Sequence, residues 1–206
     1  MLLVALVAPP GVAAARPASD LWPLLEGYRW EELRERGHGV LGELVGLYRA
    51  TREPDERLKV ARAFYVLGWE SAAAEEALLA DAAAIHQGLR VQVQWALGRV
   101  SADDRVVDYL LATLENGGEP ALFRDKAACA LASDQIHLTD EQRVRLLERV
   151  IALLESPDLE TRWMAIRILE VQTGQRKGFI HFVPEEKRTA AVERWKRWLD
   201  DYRAQL

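Results

Sequence analysis

The sequence predicts an all-α protein in which similar helical segments repeat along the chain. Four segments look alike: KVARAFYVLG, LRVQVQWALG, LFRDKAACALA and ETRWMAIRILE. Aligned on a leucine near the end of each, they place Leu67, Leu97, Leu131 and Leu169 at similar intervals along the sequence. From Ser19 onward apolar residues recur at helical spacing, and no segment alternates for long at period two. Repeats of this length are typical of an α-solenoid, in which each unit packs on its neighbours.

The composition limits which folds and which classes of partner fit this chain. The chain has 206 residues, half of them apolar, which is enough for a substantial core in one domain. Its formal net charge is −5, and we expect no nucleic-acid partner, because phosphate binding needs a surplus of Lys and Arg. The single cysteine, Cys129, excludes an intramolecular disulfide. We interpret Cys129 as a small packing residue in an alanine-rich helix.

Residues 1–15, MLLVALVAPPGVAAA, carry no charged side chain, whereas the chain after Arg16 is rich in charge. The apolar run is too short to span a bilayer, but it fits the apolar region of a secretory signal. Ala13, Ala14 and Ala15 then supply the small residues of a cleavage site. We therefore predict an exported protein, periplasmic or secreted, without a membrane span in the mature chain. A disordered apolar tail on a cytoplasmic protein is the alternative, because no basic segment precedes the apolar run.

The predicted domain covers residues 19–206 and begins with a helix from Ser19 to about Arg36, where Gly37 and Gly39 end it. Four helix pairs follow at 38–68, 71–99, 101–132 and 139–173, most of them opened by Ser, Thr or Asp caps. The predicted helices of these pairs are 40–51 and 54–68, 71–86 and 88–99, 101–115 and 120–132, and 139–155 and 157–173.

A loop at 174–184 leads to a last predicted helix at 184–203. Its apolar residues Val192, Trp195, Trp198 and Leu199 share one stripe, with charged residues outside it. A repeat array needs an end with one apolar and one polar face, so we interpret this helix as a C-terminal cap.

The last pair, LLERVIALLESPDLETRWMAIRILE, has a helix ending in leucines, a Pro-Asp turn, then R-x-x-A and a closing leucine. This pattern resembles a HEAT repeat, and RDKAACALA from Arg124 is similar to the same family's signature. The resemblance covers residues 38–173 and implies an α-solenoid of about four HEAT-like pairs. The C-terminal segment, ending in AAVERWKRWL, resembles the closing segment of exported bacterial HEAT-like proteins of unassigned function. The run AFYVLGWESAAAEEAL also resembles a tetratricopeptide repeat, but later pairs do not repeat that pattern at the constant interval this repeat requires.

Three repeats align an arginine, at Arg90, Arg124 and Arg162. The family often has an Asp before this arginine, and the resemblance implies a ladder of ion pairs between the repeats. The chain keeps Asp158 ahead of Arg162 but offers only Gly88 ahead of Arg90. We therefore expect an incomplete ladder.

Motifs of catalysis are missing from the sequence. The four histidines have no metal-binding spacing, and neither a phosphate-binding glycine loop nor a G-x-S-x-G nucleophile motif occurs. His86 and His137 fall in predicted turns, where we expect them to be solvated. We predict no catalytic residue, no bound cofactor and no metal site.

Trp95 stands on the face of its helix opposite the predicted buried set, together with Gln92 and Arg99. In HEAT-like arrays the second helix of each pair lines the concave face, so these residues indicate a polar and aromatic strip there. Aromatic residues of this kind are enriched in binding hot spots. Packing between repeats is the alternative role. The equivalent positions of the neighbouring repeats extend the predicted strip to Arg62, Tyr65, Trp69, Gln92, Trp95, Arg99 and Lys126.

The function predicted from these patterns is a non-catalytic scaffold that binds a protein or peptide on the concave face. The alternative is a HEAT-fold enzyme or accessory protein of the phycobilin-lyase-like or DNA-alkylation-repeat type. A deep pocket with convergent polar groups would favour the alternative.

Overall fold

The computed structural model describes residues 16–206, which fold into eleven α-helices with no β-strand among them. The all-α prediction is confirmed for this part of the chain, and the predicted export signal at 1–15 lies outside the described residues. In chain order the helices are α1 (Trp22–Glu26), α2 (Trp30–Glu35), α3 (Val40–Ala50), α4 (Pro54–Leu67), α5 (Ala72–Leu79), α6 (Gln87–Val100), α7 (Asp104–Glu115), α8 (Ala121–Ser133), α9 (Asp140–Leu153), α10 (Leu159–Thr173) and α11 (Glu185–Arg203).

Helices that follow one another pack in pairs: α3 with α4, α5 with α6, α7 with α8, and α9 with α10. The second helices of these pairs also contact one another in chain order, α4 with α6, α6 with α8, and α8 with α10. We call these four helices the second-helix row. The short α1 and α2 pack on α4, and α11 packs on α9. Buried apolar side chains from all eleven helices form one continuous core.

The repeated leucines explain why the pairs stack. Leu97, Leu131 and Leu169 are fully buried, and Leu67 is 3% exposed. Burial of a leucine side chain stabilises a fold by about 1.5–3 kcal/mol, so a leucine at each repeat holds each pair to its neighbours. The leucine on which the repeats align is therefore a core residue in every repeat.

Side-chain caps fix where several helices begin. The Thr139 hydroxyl accepts the backbone N–H of Gln142, whose own side chain accepts the N–H of Thr139, which is a complete capping box. The Asp158 carboxylate accepts the backbone N–H groups of Glu160 and Thr161 at the start of α10. These contacts satisfy donors that the first turn of a helix otherwise leaves free.

Arginines of the row reach forward to an acid in the turn of the next pair. Arg57, which the repeat alignment did not include, belongs to this ladder, and Arg162 instead donates to the carbonyls of Ser156 and Pro157. The prediction of an incomplete ladder was wrong at Arg90, because its acid comes from the following pair. The ion pairs and their N···O distances are Arg57–Asp81 at 2.8 Å, Arg90–Glu119 at 2.8 Å and Arg124–Asp158 at 2.5 Å.

The single first helix predicted from Ser19 to Arg36 was wrong, since this segment forms α1 and α2. Tyr28, between them, has a φ of 53°, a left-handed conformation that a helix interior does not allow. The break lets both short helices turn apolar side chains onto α4, and Leu25 and Leu33 are buried as a result. The chain breaks at Tyr28 because the break lets α1 and α2 each bury an apolar face against α4.

The predicted helix from Ser71 to His86 was too long, because α5 ends at Leu79. Beyond this end Asp81 turns toward α3 and α4, where it accepts the hydroxyl of Tyr48 at 2.6 Å and pairs with Arg57. These contacts favour a turn over a further helical turn.

The stripe predicted on the last helix is confirmed. Trp195 is fully buried, while Val192 and Leu199 are 2% and 5% exposed. Lys196 and Arg197, on the other side of α11, are exposed. The helix therefore packs through one apolar face.

Candidate functional site

The outward face of the second-helix row carries side chains from one repeat position of each helix. Tyr65 on α4, Trp95 on α6, Cys129 on α8 and Arg167 on α10 follow one another at the same spacing as the buried leucines. All four are half-buried or exposed. This face is the one on which the sequence placed the predicted binding strip.

Tyr65 contacts both Trp95 and Arg99 at the α4–α6 end of this face, and we call these three residues the aromatic cluster. The ring centroids of Tyr65 and Trp95 are 6.1 Å apart, and the guanidinium carbon of Arg99 lies 5.3 Å from the Tyr65 centroid. Gly68 ends α4 with a φ of 62°, and a Cβ there would come within 2.9 Å of Arg99 Nη2. Because Gly68 has no side chain, the guanidinium of Arg99 can lie against the end of α4. Three of the seven predicted strip residues therefore lie together.

Gln92 was predicted on the exposed face, and this was wrong. Its side chain is 4% exposed, and its Nε2 has no hydrogen-bond partner among the described residues. A position three residues before Trp95 is turned by about 60° from it around the helix. That turn carries Gln92 into the closely packed interior, so the exposed arc of α6 is narrower than predicted.

Two further strip residues, one on α4 and one just after its end, contact the N-terminal part of the domain. Trp69 stacks on His38 with ring centroids 4.4 Å apart. Arg62 Nη1 donates to the hydroxyl of Tyr28 at 3.4 Å. Both side chains are half-buried, so a ligand on the α4 end would compete with these contacts.

On α8 the outward side chains are small or ion-paired. Lys126 Nζ lies 2.6 Å from Asp125 Oδ2. The interpretation of Cys129 as a packing residue was wrong, because its position in the repeat points outward and it is exposed. Partial burial of its thiol and the charge of Asp125 raise the pKa of Cys129, so the thiol stays protonated and is a weak nucleophile at neutral pH.

A groove of about 220 Å³ lies between α8 and α10 on the same face. The small side chains of Cys129, Ala132 and Ser133 line it on α8, and Trp163 and Val171 line it on α10. Trp163 is 42% exposed, whereas Met164, beside it in the groove, is buried. Trp163 does not belong to the predicted strip, because the last leucine interval carries Lys126 and Cys129 to Met164 and Arg167 on α10.

A larger hollow, of about 450 Å³, lies between the starts of α5 and α7. Several of its charges are already paired: Arg105 Nη2 lies 2.8 Å from Glu75 Oε1 and 2.9 Å from Glu76 Oε1. The buried Glu75 also accepts the hydroxyl of Ser101 at 2.7 Å. This hollow therefore offers a ligand fewer free groups than its size suggests.

The loop after α8 lies beside the aromatic cluster. His137 Nε2 is 3.0 Å from the carbonyl oxygens of both Gly68 and Arg99, so its N–H donates to the ends of α4 and α6. The prediction of a solvated His137 was wrong, since those helix ends have carbonyls that need donors. Asp134 is 5% exposed, and burial raises the pKa of its carboxyl to about 6, an effect that the Arg99 charge partly offsets.

No protein-family model, no curated protein and no solved structure matches this chain. Within residues 16–206, no helix is both long and apolar enough to cross a membrane. The same residues contain no group of three or more His, Cys, Asp and Glu side chains placed to hold a metal ion. The fold and the site define an all-helical protein whose second-helix row presents an aromatic cluster and a groove on one face.

Proposed function

We propose that the chain is a non-catalytic scaffold that binds a protein or peptide on the outward face of the second-helix row. The observation that carries this proposal is Trp163, a 42% exposed indole at the rim of the α8–α10 groove. A large aromatic side chain loses little conformational entropy on contact, and such residues dominate binding hot spots. Tyr65 and Trp95 extend the same face toward the N-terminus.

The architecture that fits this role is an α-solenoid of about four HEAT-like pairs, with α1 and α2 before them and α11 as the cap. Three observations support it: the chain-order contacts of the row, the buried leucine of each repeat and the forward-reaching arginine ladder. In such an array the second helices line the concave face, which is the extended binding surface of these folds.

The dimensions of the groove suit a short peptide. From Asp125 to Ser133 the α8 wall covers eight helical steps, or about 12 Å at 1.5 Å per residue. An extended peptide rises about 3.3 Å per residue, so three to four of its residues match this length. Because the groove has small side chains on α8, an apolar side chain of the peptide enters between the helices and packs against Trp163.

Selection from a displayed peptide library tests this function. We expect the wild-type domain to select short apolar peptides, and Trp163→Ala to weaken their binding at least tenfold, about 1.4 kcal/mol. Ile85→Ala is the matched control, because Ile85 is fully exposed but lies in the α5–α6 turn, away from the row. Selected peptides that bind the wild type and Trp163→Ala equally would contradict the proposal.

The partner is a protein or peptide and not a nucleic acid, because the chain has a net charge of −5. Fluorescence anisotropy with labelled single- and double-stranded DNA checks this point. Binding that weakens steeply with salt would instead favour the alternative of a DNA-alkylation-repeat type of protein.

The protein acts outside the cytoplasm, a proposal that rests on the sequence of residues 1–15. The residue that would follow the cleavage site is well held: Arg16 stacks 3.8 Å from the Trp22 centroid, and its Nη1 lies 2.7 Å from Glu26 Oε1. Intact-mass measurement on protein from its source cell should give a mature chain that begins at Arg16. Full-length chain in the cytosol would contradict export.

A further inference from the structure

We infer that residues 133–138 form a clasp that holds the ends of α4 and α6 more tightly at acidic pH and loosens as the pH rises. The clasp is the segment between α8 and α9, and it crosses the end of the aromatic cluster. Its opening uncovers that end of the cluster. Clasp opening does not depend on whether the α8–α10 groove binds a peptide.

The closed state is held by His137. Its Nε2 lies 3.0 Å from the carbonyl oxygen of Gly68, at the end of α4, and 3.0 Å from that of Arg99, in the last turn of α6. One N–H can serve both acceptors only while the loop stays in place. Both the doubly protonated ring and the neutral Nε2–H tautomer supply this donor.

Gly98 provides the seat of the clasp on α6. A Cβ at Gly98 would lie 2.9 Å from Asp134 Cβ and 2.8 Å from Gln135 Nε2, which is closer than atoms can pack. The absence of a side chain at this helical position therefore lets the loop lie directly on α6. Within the loop, the Ile136 backbone N–H donates to the Asp134 carbonyl at 2.8 Å and shapes the turn that lies on α6.

Asp134 makes the closed state sensitive to pH. The residue is 5% exposed, and its carboxylate accepts no hydrogen bond among the described residues that would favour its charged form. Ionisation of a buried, unbonded carboxyl is unfavourable, whereas opening of the loop hydrates it. Arg99 on α6 is the only cation that offsets the Asp134 charge among the described residues, and it forms no hydrogen bond with it.

The other titratable groups around Asp134 do not compensate its charge. Tyr65 on α4 has its pKa raised by burial and then by Asp134. On α8 the pKa of Cys129 is raised by burial, with Asp134 among the contributing charges. Both are neutral near pH 7, and His137 within the loop is the remaining titratable group. The charge of an ionised Asp134 is therefore balanced by Arg99 alone.

The expected change in the ratio of closed to open loop follows from the linkage between proton binding at Asp134 and loop closure. The carboxyl has a pKa of about 6 in the closed loop and an ordinary value of 3.8 when hydrated. The closed loop binds the proton more tightly, so the closed state is favoured at low pH and loses this advantage as the pH rises. From pH 5 to pH 7.5 the ratio of closed to open loop should fall about tenfold.

Hydrogen exchange tests the clasp on the full chain. After correction for intrinsic exchange rates, protection of residues 133–138 and of the last turns of α4 and α6 should fall about tenfold from pH 5 to pH 7.5. Asp134→Asn should remove this pH dependence, whereas Asp140→Asn, an exposed acid at the start of α9, should keep it. A wild type with flat protection, or an Asp134→Asn protein with the wild-type drop, would overturn the inference.

A second variant separates loop opening from a general loss of fold. Gly98→Ala adds a methyl group where the loop lies, and alanine favours the helix itself. Protection of residues 133–138 should then be lost at both pH values, while the far-ultraviolet circular dichroism remains that of the wild type. Unchanged protection in Gly98→Ala would show that the loop does not rest on α6 and would also overturn the inference.

Discussion

The α4–α6 half and the α8–α10 half of the second-helix row use the same repeat positions with side chains of different size. In the first half the Tyr65 ring packs against Trp95 and Arg99, and these three side chains fill the outward face. In the second half Cys129 and Ser133 are small, so a groove stays open between the helices. One framework can therefore be closed by its own side chains in one repeat and left open for a ligand in the next.

The two halves also differ in what covers them. The clasp and the N-terminal segment contact the first half, through His137 and through the stacking of His38 on Trp69. The groove of the second half has Trp163 at its rim with 42% of its surface exposed. We therefore expect structural roles to dominate on α4 and α6, and binding roles on α8 and α10.

The largest expected effect comes from removing the support behind the open half. Trp195 on α11 is fully buried, and truncation of a buried aromatic side chain costs about 3–5 kcal/mol. Trp195→Ala should lower the free energy of unfolding by that amount in a urea titration. Arg197→Ala, on the exposed side of the same helix, should change it by less than about 0.5 kcal/mol. Equal values for the two variants would mean that α11 does not hold the α8–α10 half.

The next effect compares one tryptophan from each half. Trp95 is half-buried against Tyr65, so Trp95→Ala should cost about 2 kcal/mol, roughly half the value for a fully buried ring. Trp163→Ala should cost less, about 1 kcal/mol, because 42% of this residue is exposed. Thermal melts of the two variants measure the difference. If Trp163→Ala proves the more destabilising, the assignment of packing to one half and binding to the other is wrong.

A smaller effect concerns the pH dependence of stability, which should come from the closed half. The raised pKa of Asp134 means that its contribution to stability is fully present below about pH 4 and is lost as the pH rises through about 6. Between pH 5 and pH 7.5 the wild type should lose about 1.4 kcal/mol relative to Asp134→Asn. Urea titrations at the two pH values check this. Parallel changes in both proteins would place the pH dependence elsewhere.

The smallest stability change should accompany the closing of the groove. Cys129→Leu adds volume on the α8 side and should remove peptide binding, while stability changes by less than about 0.5 kcal/mol because the position is exposed. Cys129→Ser keeps the size of the side chain and is the matched control. Retained binding in Cys129→Leu would show that the peptide does not enter between α8 and α10.

The local repetition of the sequence was enough to predict the all-α fold and most helix boundaries. The period of the apolar residues fixes which face of each helix is buried, and that is a property of neighbouring residues. It did not predict the break at Tyr28 or the shortened α5, because both depend on contacts with other helices.

The site was predicted less completely. A helical wheel put Gln92 on the same outward face as Trp95 and Arg99, although Gln92 is buried, because the wheel of one helix does not show how neighbouring elements cover it. The contact of His137 with Gly68 joins residues 69 positions apart, and no local pattern carries such information. The repeat alignment could not find Trp163, because its equivalent on α8, Asp125, is not a position of the predicted strip.

The arginine ladder has a consequence for the order in which the chain, exported as we propose, folds as it emerges, N-terminus first, on the far side of the membrane. Its partners are separated by 24, 29 and 34 residues, for Arg57, Arg90 and Arg124. Contacts of such short sequence separation close early, since little chain entropy is lost in forming each loop. Each ion pair of the ladder can therefore form as soon as the next helix pair has emerged, before the C-terminal helices are present. The contact between Gly68 and His137 spans two helix pairs. It can form only after the ion pairs of the ladder have brought those helix pairs together.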